Sequence, residues 1–148
     1  MKEIHVAAKL ENLDQIIEMV DEDVSQYACS PTAAALIKVA VDEIFTNIAS
    51  YAYKDKNGGD EAGLVDVSIT SEPDPPCIEL RFADSGVPFD PLKVPEPDTT
   101  LAADERQIGG LGIFMTKQIM DEISYSYENG KNVLVIRKKL ADDNEEPE

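Results

Sequence analysis

The chain's signals predict an α+β fold, a two-layer sandwich of a mostly antiparallel mixed sheet with helices on one face. Strand signals arrive in neighbouring, hairpin-like pairs and helix signals in blocks, unlike an alternating βαβ pattern. One pair is closed by Asn129-Gly130, the residue types that a two-residue hairpin turn favours. Size agrees: 148 residues, 43% of them hydrophobic, can bury a single core without staples. Residues 1–140 are expected to form one domain, with 141–148 an acidic, frayed tail.

The elements follow in order. Ile4, Val6 and Ala8 alternate with polar residues, which predicts a short strand. His5 falls on the opposite, solvent side. Asn12 is placed to cap a helix in which Leu13, Ile16, Ile17, Val20, Val24 and Tyr27 recur at helical spacing. Glu11, Asp14, Glu18, Asp21, Glu22 and Asp23 fall mostly on its outer face. Ser30-Pro31 restarts the chain with a capping hydroxyl and a proline at the first helical position, predicting a helix from Pro31 to about Tyr53.

Residues 54–63 form a polar, glycine-bearing loop. Val65, Val67 and Ile69 predict a strand over 64–70, and Ile78, Leu80 and Phe82 a second, joined through Glu72-Pro73-Asp74-Pro75-Pro76. Residues 84–107 hold Pro88, Pro91, Pro95 and Pro97 and few large apolar groups. A connection this long inside a compact domain reads as a lid or a disordered segment. The cluster Gly109-Gly110-Leu111-Gly112 closes it and opens a helix over 113–121. Strands over 123–128 and 133–140 flank the Asn129-Gly130 turn.

Charge excludes whole classes of partner. Thirteen Lys and Arg against 30 Asp and Glu give a net charge of -17, which repels nucleic-acid backbones and anionic lipid. No apolar run reaches the roughly 20 residues of a spanning helix, and Met1 to His5 lacks a signal-peptide apolar region. The expectation is a cytoplasmic chain that binds neither nucleic acid nor membrane, with Cys29 and Cys77 as reduced thiols.

Three constellations can carry chemistry. Glu43 and Asn47, four apart on a helix, point the same way. An amide oxygen suits Mg2+, and a carboxylate can take a proton from an attacking hydroxyl. Alone, the pair reads as a solvated glutamate and a core-edge amide. Asp84-Ser85-Gly86 ends a buried strand. A carboxylate so held can accept a hydrogen bond from an exocyclic amine such as adenine's, and glycine lets a ring approach. Alone, it is an ordinary turn. Gly109-Gly110-Leu111-Gly112 opening into a helix can gather backbone N–H groups around an anion. It lacks the P-loop ending and the dinucleotide-binding spacing, and a plain glycine hinge explains it equally well.

Together and in this order, the motifs resemble the GHKL ATPase superfamily with its Bergerat ATP-binding fold. Within it they are similar to the small anti-sigma factors that act as serine-protein kinases. Glu43-x-x-x-Asn47 lies where that family has its N box. Asp84-x-Gly86, followed by Phe89-Asp90-Pro91, matches the first glycine box and Gly109-Gly110-Leu111-Gly112 the second. Met120-Asp121-Glu122-Ile123 and the closing hairpin add to the likeness. Asn47-Ile48-Ala49-Ser50-Tyr51 departs from the family's usual Asn-Ala-x-x-His.

The resemblance implies ATP and Mg2+ as cofactors, with Asn47 on the metal and Glu43 as the base that activates a protein serine. It implies Asp84 reading the adenine amine, Gly86 flooring the base, and Gly109, Gly110 and Gly112 around the phosphates. Arg106, with Lys117 second, is the nearest cation for the γ-phosphate. The implied partners are a sigma factor, which the protein sequesters, and an anti-sigma-factor antagonist, which it phosphorylates. Homodimers are common in the family. The alternative is a nucleotide-gated binding module of the same fold without phosphotransfer. A plain acidic interaction domain would explain the charge but not three ordered motifs.

Overall fold

The computed structural model describes residues 2–27, 29–49, 63–73, 76–86, 88 and 110–140, with 110–114 described for their backbone alone. Strand β1 spans Lys2–Ala7, and a 3-10 turn over Leu10–Asn12 leads into helix α1, Leu13–Val24. Helix α2 spans Pro31–Asn47, strands β2 and β3 span Leu64–Pro73 and Pro76–Asp84, and helix α3 spans Gly110–Ile119. Strands β4, Glu122–Glu128, and β5, Lys131–Lys139, complete the order. The five strands form one sheet in the order β1-β2-β3-β5-β4, and all four pairings are antiparallel. The α+β architecture expected from the hairpin-like pairs is borne out.

Period-2 alternation decides which side of the sheet is covered. Val6, Val65, Val67, Ile69, Leu80, Phe82 and Ile136 face one way and are buried. Onto that face pack Ile16, Val20 and Val24 of α1 and Ile37, Ala40, Val41, Ile44 and Phe45 of α2, forming one apolar cluster. Phe45 and Phe82 are the largest side chains fully buried in it. Each such side chain contributes about 1.5–3 kcal/mol through its apolar surface. Helix α3 packs against α2.

Local chemistry accounts for the boundaries. Ser30 is extended at φ -67°, ψ 142°, and its Oγ accepts from the Ala33 N–H at 2.9 Å, with Pro31 at the first helical position. The Asn129-Gly130 turn has φ 53° and 78°, the left-handed pair that a type I′ hairpin needs. Both cysteines are free. Burial pushes the Cys29 thiol up from its ordinary value. His5 is exposed, as expected, with Nδ1 2.6 Å from Asp66 Oδ1. No helix among the described residues is long and apolar enough to cross a membrane.

Several expectations are corrected. Asn12 stands at the start of α1 but makes no cap bond. Its amide donates to the Ala7 carbonyl at 2.9 Å and its oxygen accepts from Gln15 at 3.1 Å, because a 3-10 turn already leads the chain into the helix. Helix α1 ends at Val24, short of Tyr27. Asp23 is not on the acidic outer face; it is 5% exposed. Seven residues after Ile16 and three after Val20, it lies on the buried stripe itself. Helix α2 gives way after Asn47 to a wider turn over 48–49, and the rest of the expected helix to Tyr53 lies outside the described residues.

Helix α3 begins at Gly110 rather than Ile113, so Gly110 and Gly112 belong to its first turn. Strands β2 and β3 run on until Pro73 faces Pro76, leaving a shorter connection than expected. Strands β4 and β5 begin one and two residues earlier than expected, closing directly on the two-residue turn. The expected 54–62 part of the loop, residues 89–109 with the lid, and the 141–148 tail lie outside the described residues.

Candidate functional site

At one end of the sheet's inner face two polar residues are buried. Along β3 the inward row reads Ile78, Leu80, Phe82, Asp84, and along β5 it reads Asn132, Leu134, Ile136. Asp84 and Asn132 are register partners, so the two polar ends meet. Both are buried, at 5% and 7% exposure. Burial of this kind is costly unless hydrogen bonds replace water. Asp84 Oδ1 accepts from the Gly86 N–H at 2.9 Å and from Asn132 Nδ2 at 3.0 Å. Asn132 Nδ2 also faces the Gly86 carbonyl at 3.5 Å, and the Tyr125 hydroxyl donates to Asn132 Oδ1. Among the described residues, no hydrogen bond falls on Asp84 Oδ2. The carboxylate is therefore held by Oδ1.

The bond to the Gly86 N–H closes the Asp84-Ser85-Gly86 turn upon its own first side chain. Gly86 is itself buried beside the carboxylate.

Glu43 and Asn47 lie one turn apart on α2, both half-buried. Neither side chain has a hydrogen bond or ion pair among the described residues. The neighbouring stripe differs: Thr46 Oγ1 donates to Asp42 Oδ1 at 3.0 Å, so that i,i+4 pair satisfies itself. Glu43 and Asn47 keep an acceptor each for something else. Among the described residues no three His, Cys, Asp or Glu side chains gather to hold a metal. A single amide oxygen suits a cation that takes its other ligands from substrate phosphates and water.

Gly110 and Gly112 lie in the first turn of α3, where helix N–H groups lack intrahelical partners. Lys117 is exposed in the last turn of the same helix, about 10 Å along its axis from Gly110. That separation sets it apart from the glycines. Arg106 and Gly109 lie outside the described residues. Sequence reasoning missed Asn132 and Tyr125. The available signal was a polar residue at the head of the alternating row Asn132, Leu134, Ile136.

A five-stranded antiparallel sheet under helices, with a glycine turn holding a buried carboxylate at its end, has the architecture of the histidine kinase-like ATPase fold. The profile of the histidine kinase-like ATPase domain matches residues 6–138, and the chain belongs to that family. The likeness to the serine-protein kinases of the GHKL superfamily is borne out. The serine-protein kinase RsbW of Listeria monocytogenes is 30% identical over 115 residues, covering 73% of this chain and 69% of that protein. The RsbW of Listeria innocua is 31% identical over 120 residues with the same coverages. That of Bacillus pumilus is 34% identical over 105 residues, covering 68% of this chain and 62% of its own length.

Among solved structures, the RsbU and RsbW domains of Rv1364c from Mycobacterium tuberculosis match with a TM-score of 0.56 at 11% identity. The match covers 95% of this chain and 33% of that one, so this chain spans about a third of the solved protein. At that identity the likeness speaks for the fold.

Proposed function

We propose that this chain is an ATP-dependent serine-protein kinase and anti-sigma factor. In this reading it phosphorylates a serine on an anti-sigma-factor antagonist and sequesters a sigma factor. The observation that carries the nucleotide part is the Asp84 carboxylate, pinned through Oδ1 and with no hydrogen bond on Oδ2 among the described residues. The similarity to proteins named serine-protein kinases supports the transfer part.

Each residue has a task the physics allows. Asp84 Oδ2 accepts the hydrogen of the adenine amine, and Gly86 leaves room for the ring. Asn47 offers its amide oxygen to Mg2+, which would supply charge neutralisation at the phosphates. The first-turn N–H groups at Gly110 and Gly112 face an anion, with Gly109 and Arg106 as further candidates from the sequence. Lys117 is left out of this set by its place at the far end of α3. Glu43, one turn from Asn47, takes the proton of the attacking serine hydroxyl. In a chain of net charge -17, these local dipoles and cations must supply the attraction for a polyanion.

Calorimetric titration with ATP, with and without Mg2+, tests the site on the wild type and Asp84→Asn. Binding that strengthens with Mg2+ and is lost in the variant is expected. Absence of binding by the wild type would sink the nucleotide reading. Transfer of labelled γ-phosphate to a purified candidate antagonist then separates kinase from gated binding module. In a kinase, Glu43→Gln abolishes transfer and leaves ATP affinity in place. If the wild type binds ATP and transfers nothing, the module reading replaces it.

A further inference from the structure

The hydrogen bonds around Asp84 do not stop at its own turn; they cross three strands. From β4 the Tyr125 hydroxyl donates to Asn132 Oδ1, and from β5 the Asn132 amide donates to Asp84 Oδ1 on β3 at 3.0 Å. Tyr125 faces Leu134 in the β4–β5 ladder, two residues along from Asn132, so it meets Asn132 on the diagonal of the same face. We infer that Tyr125 and Asn132 are positioning residues for Asp84 and, through it, set the preference of the site for a purine bearing a 6-amino group. This rests on the reading of Asp84 as the base-reading acid.

The chemistry runs in one direction. The phenol gives its hydrogen to the amide oxygen, so the amide turns its NH2 toward the carboxylate. A reversed amide would set oxygen against oxygen in a buried place. With its NH2 toward Asp84, the amide joins the Gly86 N–H in donating to Oδ1. Rotation of the carboxylate would forfeit both bonds. Oδ2 is thus held as a bare acceptor in one direction.

An adenine amine meets that acceptor with a donor. A guanine presents a carbonyl in the same place and meets acceptor with acceptor. Sites built around a fixed buried hydrogen-bonding group reject the analogue that lacks the matching atom far better than apolar pockets do. Asn132 and Tyr125 touch no nucleobase in this scheme. They act by denying Asp84 its other orientations.

The test uses the full chain and three nucleotides: ATP, GTP and purine riboside triphosphate, which is ATP without its amine. Dissociation constants are measured by calorimetry for the wild type, Tyr125→Phe, Asn132→Leu and Asp84→Asn, with thermal melting as the check on folding. The wild type is expected to favour ATP over the other two. Tyr125→Phe, which removes one oxygen and keeps the ring, should weaken ATP roughly two- to tenfold, as one lost hydrogen bond does. Its affinity for the amine-free analogue should not change. Asn132→Leu should bring ATP and the analogue close together.

A merely structural role predicts equal losses for ATP and the analogue, and that outcome overturns the inference. So does an unchanged ATP preference in both Tyr125→Phe and Asn132→Leu. If Asp84→Asn alone removes the preference, the reading of Asp84 stands and the relay falls. If the wild type shows no amine preference, both fall together.

Discussion

The backbone N–H of Ser30 donates to the carbonyl of Leu140 at 2.8 Å. The residue that caps α2 is therefore tied to the residue that follows β5, and Leu140 in turn donates to the Pro76 carbonyl at 2.9 Å. The helix that carries Glu43 and Asn47 is thus anchored at its cap residue to the sheet that carries Asp84. The two bonds of Ser30 are separable, since one uses the side chain and the other the backbone.

Ser30→Ala removes only the capping hydroxyl, because the N–H to Leu140 remains. A cost of about 1 kcal/mol is expected. Urea unfolding should show a lower midpoint at unchanged slope. Ser30→Pro also removes the N–H and should cost clearly more. Equal losses in the two variants would mean that the tie to Leu140 adds nothing.

Gly130→Ala tests the hairpin that carries Tyr125 and Asn132. Gly130 has φ 78°, and a Cβ added there meets nothing within 4 Å. Any loss is then conformational, about 1–2 kcal/mol for a side chain forced into the left-handed region. Thermal unfolding should record that loss. A neutral result would show that the turn relaxes to another form.

Asp66 sets a pH dependence. The hydrogen bond from His5 holds its carboxyl below the ordinary value, partial burial opposes this, and Lys131 at 3.0 Å adds to the lowering. A carboxylate whose folded value is depressed stabilises the fold above its unfolded value, near 4, and loses that contribution as pH falls through the folded value. His5 and Lys131 are 59% and 43% exposed, so the amount is small, about 0.5–1 kcal/mol. The stability difference between wild type and Asp66→Asn should be present at pH 7 and shrink below about pH 4. A difference that grows toward acid would contradict this account.

Asp23 offers a gain. Its Oδ1 accepts only a long bond from Gln26, 3.4 Å, and its Oδ2 is buried with no partner among the described residues. Replacing an unsatisfied buried polar group by an apolar one of similar size removes a desolvation cost of roughly 1–3 kcal/mol. Asp23→Leu should raise the urea midpoint. A lower midpoint would show that the carboxylate has a partner in solution.

Asn47→Ala probes the proposed Mg2+ contact. ATP affinity should lose its dependence on Mg2+ while the part measured in chelator stays as it was. Equal loss with and without Mg2+ would place Asn47 on the nucleotide or in the packing instead.

Local chemistry made much of this protein legible in advance. Alternation announced the strands, Ser30-Pro31 the start of α2, and Asn129-Gly130 the hairpin, because each signal acts over a few residues. The order of Glu43, Asn47, Asp84, Gly86 and the glycines at 109–112 pointed to the family before any fold was known. Helix faces were harder. Asp23 sits on the buried stripe of α1, yet its charge suggested solvent. The residues 110–112 form helix where glycine suggested loop, since a helix packed against α2 overrides weak local propensity.

The sequence by itself determined the elements, the hairpins and the candidate residues, all of which depend on neighbours within a turn or a strand pair. The tertiary structure alone decided that Asp84 and Asn132, 48 residues apart, share one end of the inner face. That follows from the strand order β1-β2-β3-β5-β4, which inserts β5 beside β3. Pairing between distant strands is chosen by how whole faces bury together, and no local pattern encodes it. The same pairing brings Tyr125 behind Asn132 and fixes the direction in which Asp84 can accept a hydrogen bond.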